Sequence, residues 1–191
     1  MKNPVVREDQ PSAETFESSR LVVESLRTAH AVKLFPALSD PRVCTFISND
    51  PPSSVGDLEA LYARYLKGPA PSSGALFLNW AVRLKAGGDY VGTLQATIDI
   101  GRRCASVAYL LGPEFWGKGF ASEAVGALLV WLFSRGDVNS AEARVDTRNE
   151  RSVRLVRRLG FELVRVDRKA EFFKGSWGDE YLFRILASAR S

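Results

Sequence analysis

The sequence is poor in the residue types on which many enzymes rely. It has a single histidine, His30, among 191 residues. A zinc site built from several histidines is therefore excluded, and a Ser-His-Asp or Cys-His mechanism would have to use His30. Because His30 lies in a predicted early helix with no nucleophile turn nearby, we expect chemistry without imidazole and without a metal.

Cysteine and long apolar runs are scarce as well. Cys44 and Cys104 stand in no metal or redox spacing, so we expect two free thiols in a reducing cytoplasm. No run approaches the ~20 apolar residues needed to cross a bilayer. The first residues lack the apolar core of a secretory signal. These absences predict a cytoplasmic protein with no membrane partner.

The residues that are present indicate a globular domain with a small positive excess. Apolar residues make up 46% and charged residues 25% of the chain, and the net charge is +4. Much of the excess lies in one segment, which could read nucleic-acid phosphates, serve one phosphorylated cofactor or form a solvated helix face; charge alone leaves these open. The segment contains Arg144, Arg148, Arg151, Arg154, Arg157 and Arg158.

A glycine turn between a predicted strand and a predicted helix is the central local signal. An apolar strand over Ala105–Leu111 leads to Gly117-Lys118-Gly119, and a helical pattern begins near Lys118. Such a turn lets the backbone approach a ligand and, with the helix dipole, suits a phosphate or pyrophosphate. The alternative is an ordinary glycine turn that opens a core helix. The apolar helix face comprises Ala121, Ala124, Val125, Leu128, Leu129, Leu132 and Phe133.

The remaining patterns predict a mixed α/β sheet in the order β-α-α-β-β-β-α-β-α-β-β. Residues 1–18 are polar and predict a flexible leader, and 19–187 predict one domain without repeats or linkers. The predicted strands cover 21–26, 77–85, 90–100, 105–111, 141–147, 161–166 and 181–186, and the predicted helices cover 28–38 and 55–67 and begin near 118 and 149.

Three motifs together resemble the GCN5-related N-acetyltransferases (GNAT). They are Gly112-Pro-Glu-Phe-Trp-Gly-Lys-Gly-Phe-Ala-Ser-Glu-Ala124, Asn149-Glu-Arg-Ser152 and Leu159-Gly-Phe161. Within that superfamily the chain is most similar to the RimJ/RimL-type branch, over about 19–187. The resemblance implies a mixed, mostly antiparallel twisted sheet with splayed central strands and about four helices.

The resemblance implies acetyl-CoA as co-substrate, bound largely by backbone groups. The strand before the turn would bind the pantetheine arm, and the turn would bind the pyrophosphate. Asn149 would reach the pantetheine side, although it is also an ideal helix N-cap. Glu114 stands where the family often has Gln or Arg, and it adds nothing to pyrophosphate affinity. The implied cofactor-binding residues are Tyr109, Leu110, Leu111, Trp116, Gly117, Lys118, Gly119, Phe120, Ala121, Asn149 and Ser152.

The resemblance also implies a catalytic set. The Leu111 N–H would stabilise the oxyanion, Ser152 would protonate the leaving sulfur, and Glu171 would accept the amine proton. Glu171 could equally be a surface carboxylate paired with Lys169 or Arg168.

Other groups could remove the amine proton. Tyr109 and Tyr181 are weaker base candidates, and a water chain could replace any side-chain base.

We therefore expect an N-acetyltransferase that moves an acetyl group from acetyl-CoA to a primary amine by direct attack in a ternary complex. The amine could belong to a small molecule or a protein N-terminus, with selectivity set by residues 38–74. The alternative is an acetyl-CoA- or nucleic-acid-binding module without turnover. We expect no specific nucleic-acid partner and a monomer or homodimer.

Overall fold

The protein is built on one eight-stranded sheet with α-helices on both faces. The computed structural model describes residues 13–70 and 73–190. The strands are β1 (Phe16–Glu17), β2 (Leu21–Ser25), β3 (Ala75–Leu84), β4 (Tyr90–Asp99), β5 (Cys104–Leu111), β6 (Ser140–Asp146), β7 (Glu162–Phe173) and β8 (Ser176–Leu186). Their order in the sheet is β1-β2-β3-β4-β5-β6-β8-β7. The helices are α1 (Ala31–Leu38), α2 (Val55–Lys67), α3 (Phe120–Ser134) and α4 (Glu150–Arg158).

The two central strands, β5 and β6, separate along their length. They are parallel, joined through α3, and paired only from Cys104 opposite Ser140 to Ser106 opposite Glu142. Beyond that point β5 continues to Leu111 and β6 continues to Asp146, but the two strands no longer pair with each other. All the other strand pairs are antiparallel. The predicted mixed, mostly antiparallel sheet with splayed central strands is thus confirmed.

Two apolar clusters cover the two faces of the sheet. The larger one includes Leu128 and Leu129 of α3 and Val156 of α4, and the smaller one includes residues of α1 and α2. Side chains of a strand alternate between faces. Accordingly, Tyr109 packs against the α3/α4 cluster and Leu110 against the α1/α2 cluster.

Residues 13–18 belong to the sheet and the core, so the predicted flexible leader is wrong for this part. β1 pairs with β2. The Phe16 ring lies 5.7 Å from the Trp80 ring and 5.8 Å from the Trp131 ring, and the Glu14 carbonyl accepts a hydrogen bond from the Trp80 indole at 2.8 Å. One aromatic residue among polar ones produces no strand pattern, which explains the wrong prediction. Residues 1–12 of that leader lie outside the described residues.

The final hairpin is longer than the sequence predicts. The predicted strands 161–166 and 181–186 extend to Glu162–Phe173 and Ser176–Leu186. They are joined by a turn of Lys174 and Gly175, both with positive φ. β7 lies at the sheet edge, so its largely exposed residues show no clean alternation. A register shift between Asp167 and Glu171 interrupts the pattern further.

Several helix ends follow the sequence closely. The Ser54 hydroxyl accepts from the Asp57 N–H at 3.1 Å and caps α2, whose bounds match the prediction. Gly160 has φ of +90°, and the Phe161 N–H donates to the Val156 carbonyl at 3.1 Å, so the Leu159-Gly-Phe161 motif closes α4 with a left-handed glycine. None of the helices in the described part of the chain is long and apolar enough to cross a membrane.

Candidate active site

The gap between β5 and β6 presents free backbone groups of β5. The Gly112 N–H donates to the Val91 carbonyl at 2.9 Å, and Gly92 lies opposite Leu111. In an antiparallel ladder this pattern turns the N–H and C=O of Leu111 away from β4 and towards the gap. The same alternation directs the backbone of Tyr109 to the gap and that of Leu110 to β4. Tyr109 and Leu111 are therefore the predicted β5 residues whose backbone can bond to a ligand there.

The Leu111 carbonyl accepts a hydrogen bond within the protein, whereas the Leu111 N–H donates none among the described residues. The Trp116 indole donates to this carbonyl at 2.8 Å. Among the described residues no acceptor bonds to the Leu111 N–H. Trp116 therefore holds the glycine turn against the end of β5 and leaves the N–H as the one open backbone group of Leu111.

The glycine turn has the left-handed backbone that glycine favours. Gly117 has φ of +75° and Gly119 has φ of +82°. Gly119 is the N-cap of α3 and provides no side-chain cap; its carbonyl accepts from the Glu123 N–H at 3.0 Å. The N–H groups of Phe120, Ala121 and Ser122 precede the first intrahelical bond. Within the described residues none of them is bonded, so this helix end suits an anion such as a pyrophosphate.

Arg20 and Glu123 support this turn, and no local pattern in the sequence links the two residues. Arg20 Nη1 donates to the Lys118 carbonyl at 3.2 Å, and its guanidinium lies 4.5 Å from the centroid of the Phe120 ring. Arg20 Nε donates to Glu123 Oε2 at 2.6 Å, and the Ser18 hydroxyl donates to Glu123 Oε1 at 2.7 Å. Burial alone would raise the pKa of Glu123, but these hydrogen bonds outweigh it and leave that pKa lowered.

Arg151 links α4 to the glycine turn. Its guanidinium lies 4.8 Å from the centroid of the Trp116 ring, which is a cation–π distance. Trp116 belongs to the turn after β5, whereas Arg151 lies in the first turn of the helix after β6. This contact therefore connects the two sides of the gap. Lys118 is exposed, and its Nζ lies 5.8 Å from the centroid of the Phe115 ring.

The structure brings Ser152 close to Tyr109. Asn149 Oδ1 accepts from the Ser152 N–H at 3.1 Å, so Asn149 caps α4 and places Ser152 in its first turn. The Tyr109 hydroxyl is buried and lacks a hydrogen-bond partner among the described residues. Burial raises the pKa of Tyr109, and the nearby Ser152 side chain opposes that rise. The two hydroxyls are thus neighbours without meeting hydrogen-bond geometry.

Glu171 stands apart from these residues. It is exposed, follows the register shift in β7 and lies opposite Gly178 of β8. Asp146, the last residue of β6, lies opposite Glu180, so Glu171 is positioned beyond the end of β6. No contact joins Glu171 to Ser152 or Tyr109 in the described part of the chain.

The surface ion pair considered for Glu171 does not form. Arg168 Nη1 binds Asp179 Oδ2 at 2.6 Å, and the Lys169 N–H donates to Asp179 Oδ1 at 2.8 Å. Asp179, rather than Glu171, is therefore the carboxylate that these two residues contact. Tyr181, a weaker base candidate, is half-buried with its ring 5.8 Å from that of Phe183.

Most members of the arginine-rich segment contact separate partners within the protein. Three form ion pairs, which reduce the positive charge available to a nucleic acid, and two lie over aromatic rings. The pairs are Arg144 with Asp167 at 3.0 Å, Arg148 with Asp146 at 2.7 Å, Arg154 with Glu150 at 2.9 Å, Arg151 with the Trp116 ring and Arg157 with the Phe183 ring. Over residues 13–70 and 73–190, no group of three or more His, Cys, Asp or Glu could hold a metal ion.

The sequence matches a known protein family over most of its length. A model described as an acetyltransferase (GNAT) domain matches residues 20–162. The chain belongs to this family. It is 30% identical over 178 residues to the uncharacterised N-acetyltransferase p20 of Bacillus licheniformis, which covers 91% of this chain and 96% of that protein. The protein is therefore an acetyltransferase by family.

Solved structures share the fold. A GCN5-related N-acetyltransferase from Brucella melitensis aligns with a TM-score of 0.82 and 24% identity, covering 95% of this chain and 82% of that one. The spermidine N-acetyltransferase from Vibrio cholerae, solved with CoA and spermine, aligns with a TM-score of 0.74 and 21% identity, covering 89% of this chain and 97% of that one. At these sequence identities the likeness is one of fold.

Proposed function

We propose that the protein transfers the acetyl group of acetyl-CoA to a primary amine by direct attack in a ternary complex. The observation that carries this proposal is the gap between β5 and β6, where the open Leu111 N–H lies one short turn from the open N–H groups that begin α3. One end of the gap suits a thioester carbonyl and the other suits a pyrophosphate. An acetyl-CoA site needs donors for both of these groups, and the gap offers both.

The residues on both sides of the gap fit acetyl-CoA. Backbone N–H groups from Gly117 to Ala121 would hold the pyrophosphate, and the backbone of Tyr109 and Leu111 would bond to the pantetheine arm. Asn149 Oδ1 is engaged in capping, so its amide NH₂ is the group left for the pantetheine side. When bound, the co-substrate supplies an activated acetyl thioester.

The protein's own groups would perform three tasks in the reaction. The Leu111 N–H stabilises negative charge on the thioester oxygen. Ser152 protonates the departing sulfur, and Glu171 accepts the proton of the attacking amine. Because Glu171 contacts neither of the other two, a water could relay that proton. The mechanism needs neither histidine nor a metal.

The acceptor is a primary amine, and we place the protein in the RimJ/RimL-like branch. The match of Asn149-x-x-Ser152 and of Glu171 to that branch supports this assignment. The acceptor would approach from the face of α1 and α2, and residues 38–74 would set its selectivity. A protein N-terminus and a polyamine both offer the required nitrogen; spermidine is the acceptor named for the Vibrio cholerae relative in fold.

Turnover with a panel of amines tests this function. Purified protein is mixed with acetyl-CoA and with spermidine, amino acids, aminoglycosides or peptides, and thiol release is followed. We expect release that depends on one class of amine. Tight acetyl-CoA binding without acceptor-dependent release from any amine would instead favour a binding module.

A nucleic-acid control belongs to the same experiment. We expect only weak, salt-labile adsorption of duplex and single-stranded nucleic acid, because the arginines are largely engaged within the protein. A tight complex at physiological salt would contradict this part of the proposal.

A further inference from the structure

Two buried tyrosine hydroxyls, those of Tyr62 and Tyr109, lack hydrogen-bond partners among the described residues. A buried polar group is normally paired, so each such hydroxyl calls for an explanation. Tyr62 lies in α2 within the α1/α2 cluster. Tyr109 lies in β5 beyond Ser106, where the pairing with β6 has ended. Only Tyr109 therefore borders the gap.

The neighbour of the Tyr109 hydroxyl is Ser152. The Tyr109 side chain is on the sheet face covered by α3 and α4, and Ser152 is in the first turn of α4. Within the described part of the chain, the Ser152 side chain lies close enough to lower the pKa of Tyr109 against the effect of burial. A hydroxyl can donate one hydrogen bond and accept others, so the Tyr109 O–H can donate to Ser152 Oγ while the Ser152 O–H donates elsewhere.

The environment of Tyr109 favours a donor over a base. Burial disfavours the phenolate and raises the pKa of the hydroxyl, so the group keeps its proton at neutral pH. A neutral tyrosine can donate one hydrogen bond without giving up the proton. This argues against Tyr109 as the base that deprotonates the amine.

We propose that Tyr109 is a positioning residue that donates a hydrogen bond to Ser152 Oγ and turns the Ser152 O–H towards the leaving sulfur. The inference rests on the proposed function. In that step the amine nitrogen bonds to the acetyl carbon, the carbon–sulfur bond breaks, and its electron pair stays on sulfur. The Ser152 proton passes to sulfur, and the proton lost by the amine returns to Ser152 through the base. Tyr109 ends the step unchanged.

The ionisation of the thiol of bound CoA tests this arrangement without turnover. Donors aimed at sulfur favour the thiolate and lower the pKa of the bound thiol below that of free CoA. Thiolate absorbance is titrated with pH for bound CoA, against protein alone to cancel Cys44 and Cys104. We expect Tyr109→Phe and Ser152→Ala each to raise the pKa of the bound thiol by about one unit, the change expected for one hydrogen bond to a charged group.

The double variant and a matched control sharpen the test. Because both residues act through one hydrogen bond to sulfur, the pair Tyr109→Phe with Ser152→Ala should shift the pKa of the bound thiol no further than Ser152→Ala alone. Tyr62→Phe removes the other buried unpaired hydroxyl and should leave the titration unchanged. Equal titrations for wild type and Tyr109→Phe, with CoA bound equally well, would overturn the proposal. So would a Tyr109→Phe variant that loses CoA binding and thermal stability together, since that marks a structural role.

Kinetics separates this inference from the proposed function. Tyr109→Phe should lower kcat about tenfold and leave the KM for acetyl-CoA near the wild-type value. If wild type releases no thiol with any amine, the proposed function fails, while the titration of bound CoA still decides the role of Tyr109.

Discussion

Arg20 and Glu123, which are 103 residues apart in the chain, form a two-point contact beside the glycine turn. The Arg20 backbone N–H donates to Glu123 Oε1 at 2.7 Å, and Arg20 Nε donates to Glu123 Oε2 at 2.6 Å. The carboxylate thus stands in the first turn of α3, next to the N–H groups that suit a pyrophosphate. A negative charge there would repel the ligand unless Arg20 compensated it.

The two partners should therefore affect acetyl-CoA binding in opposite ways. Arg20→Met leaves the Glu123 carboxylate uncompensated and should raise the Kd roughly fivefold, since a surface ion interaction contributes about 1 kcal/mol. Glu123→Gln keeps an acceptor for Ser18 and frees the Arg20 charge, so its Kd should equal or fall below that of wild type. The double variant should recover most of the loss. Calorimetry measures all four proteins, and equal losses in both single variants would show that geometry, not charge, matters.

Gly119 should tolerate no side chain, for conformational and electrostatic reasons together. At φ of +82° an added Cβ costs about 1–2 kcal/mol of stability. It would also lie 3.4 Å from Arg20 Nη2. Gly119→Asp adds a carboxylate at the anion site and should abolish the acetyl-CoA-dependent rise in Tm.

A second glycine provides the control for this variant. Gly136 follows α3, has φ of +75° and has no atom within 4 Å of an added Cβ. Gly136→Asp should lower the Tm by a similar amount and keep the full acetyl-CoA effect. If both variants keep that effect, the pyrophosphate is bound elsewhere.

The sequence predicted the elements whose own residues determine them. α2 has Ser54 as its cap and an apolar face, so its two ends were correct. The glycine turn and the Asn149 cap were likewise recognisable because their backbone requirements are local. These elements outline the gap between β5 and β6.

The sequence missed what depends on distant partners. Phe16 packs against the core through the Trp80 and Trp131 rings, which come from distant parts of the chain. Arg20 reaches the site from the turn between β1 and β2, 98 residues before Lys118 in the chain. The length of β7 was hidden because an edge strand needs no apolar alternation. Each of these features exists only once the sheet has assembled.

His30 should make stability depend on pH just below neutrality. Burial, in part against the Tyr90 ring at 5.4 Å, lowers the pKa of His30 below 6.5. The charge of Glu24 raises this pKa by a smaller amount, whereas the charges of Arg27 and Lys33 lower it further. The folded state then binds fewer protons than the unfolded state, so the stabilisation is complete above pH ~6.5 and is lost as the pH falls through the folded pKa.

The single histidine makes this prediction easy to isolate. NMR titration of the imidazole should give a pKa below 6.5, and the urea midpoint of wild type should fall between pH 7.5 and 5.5 more than that of His30→Gln. A measured pKa above 6.5 would mean that the ion pair with Glu24, at 3.6 Å, outweighs burial.

Lys174 should restrain the segment between α1 and α2. Lys174 lies in the turn of the final hairpin. Its ammonium donates to the Cys44 carbonyl, to the Ile47 carbonyl at 3.1 Å and to the Asn49 carbonyl at 3.5 Å. Lys174→Met removes all three bonds and should speed amide hydrogen exchange across 44–49. Since this segment lies within the region expected to select the acceptor, the KM for the amine should rise while the Kd of acetyl-CoA stays constant. Lys169→Met in the same hairpin serves as the control, and equal exchange in both variants would contradict the prediction.

Glu171 and Ser152 should affect catalysis and leave co-substrate binding intact. A positioned acid or base typically contributes about 10²–10⁴-fold in rate. Glu171→Gln preserves shape and hydrogen bonding yet cannot take a proton, so kcat should fall by roughly that factor with the Kd of acetyl-CoA unchanged. Ser152→Ala should be milder, because a thiolate is a tolerable leaving group and water can protonate it. The losses should be non-additive in the double variant, since both residues serve one step.

The same edge strand supplies the control for Glu171. Glu162→Gln removes another exposed carboxylate of β7 and should leave kcat unchanged. Because Glu171 lies beyond the end of β6 and contacts neither Ser152 nor Tyr109, a water is expected to connect it to the amine. Full turnover in Glu171→Gln with the best acceptor would mean that the amine loses its proton by another route, through Tyr181 or through water alone. Steady-state kinetics on wild type, Glu171→Gln and Glu162→Gln distinguishes these cases, because a base at Glu171 predicts a loss of kcat in Glu171→Gln and none in Glu162→Gln.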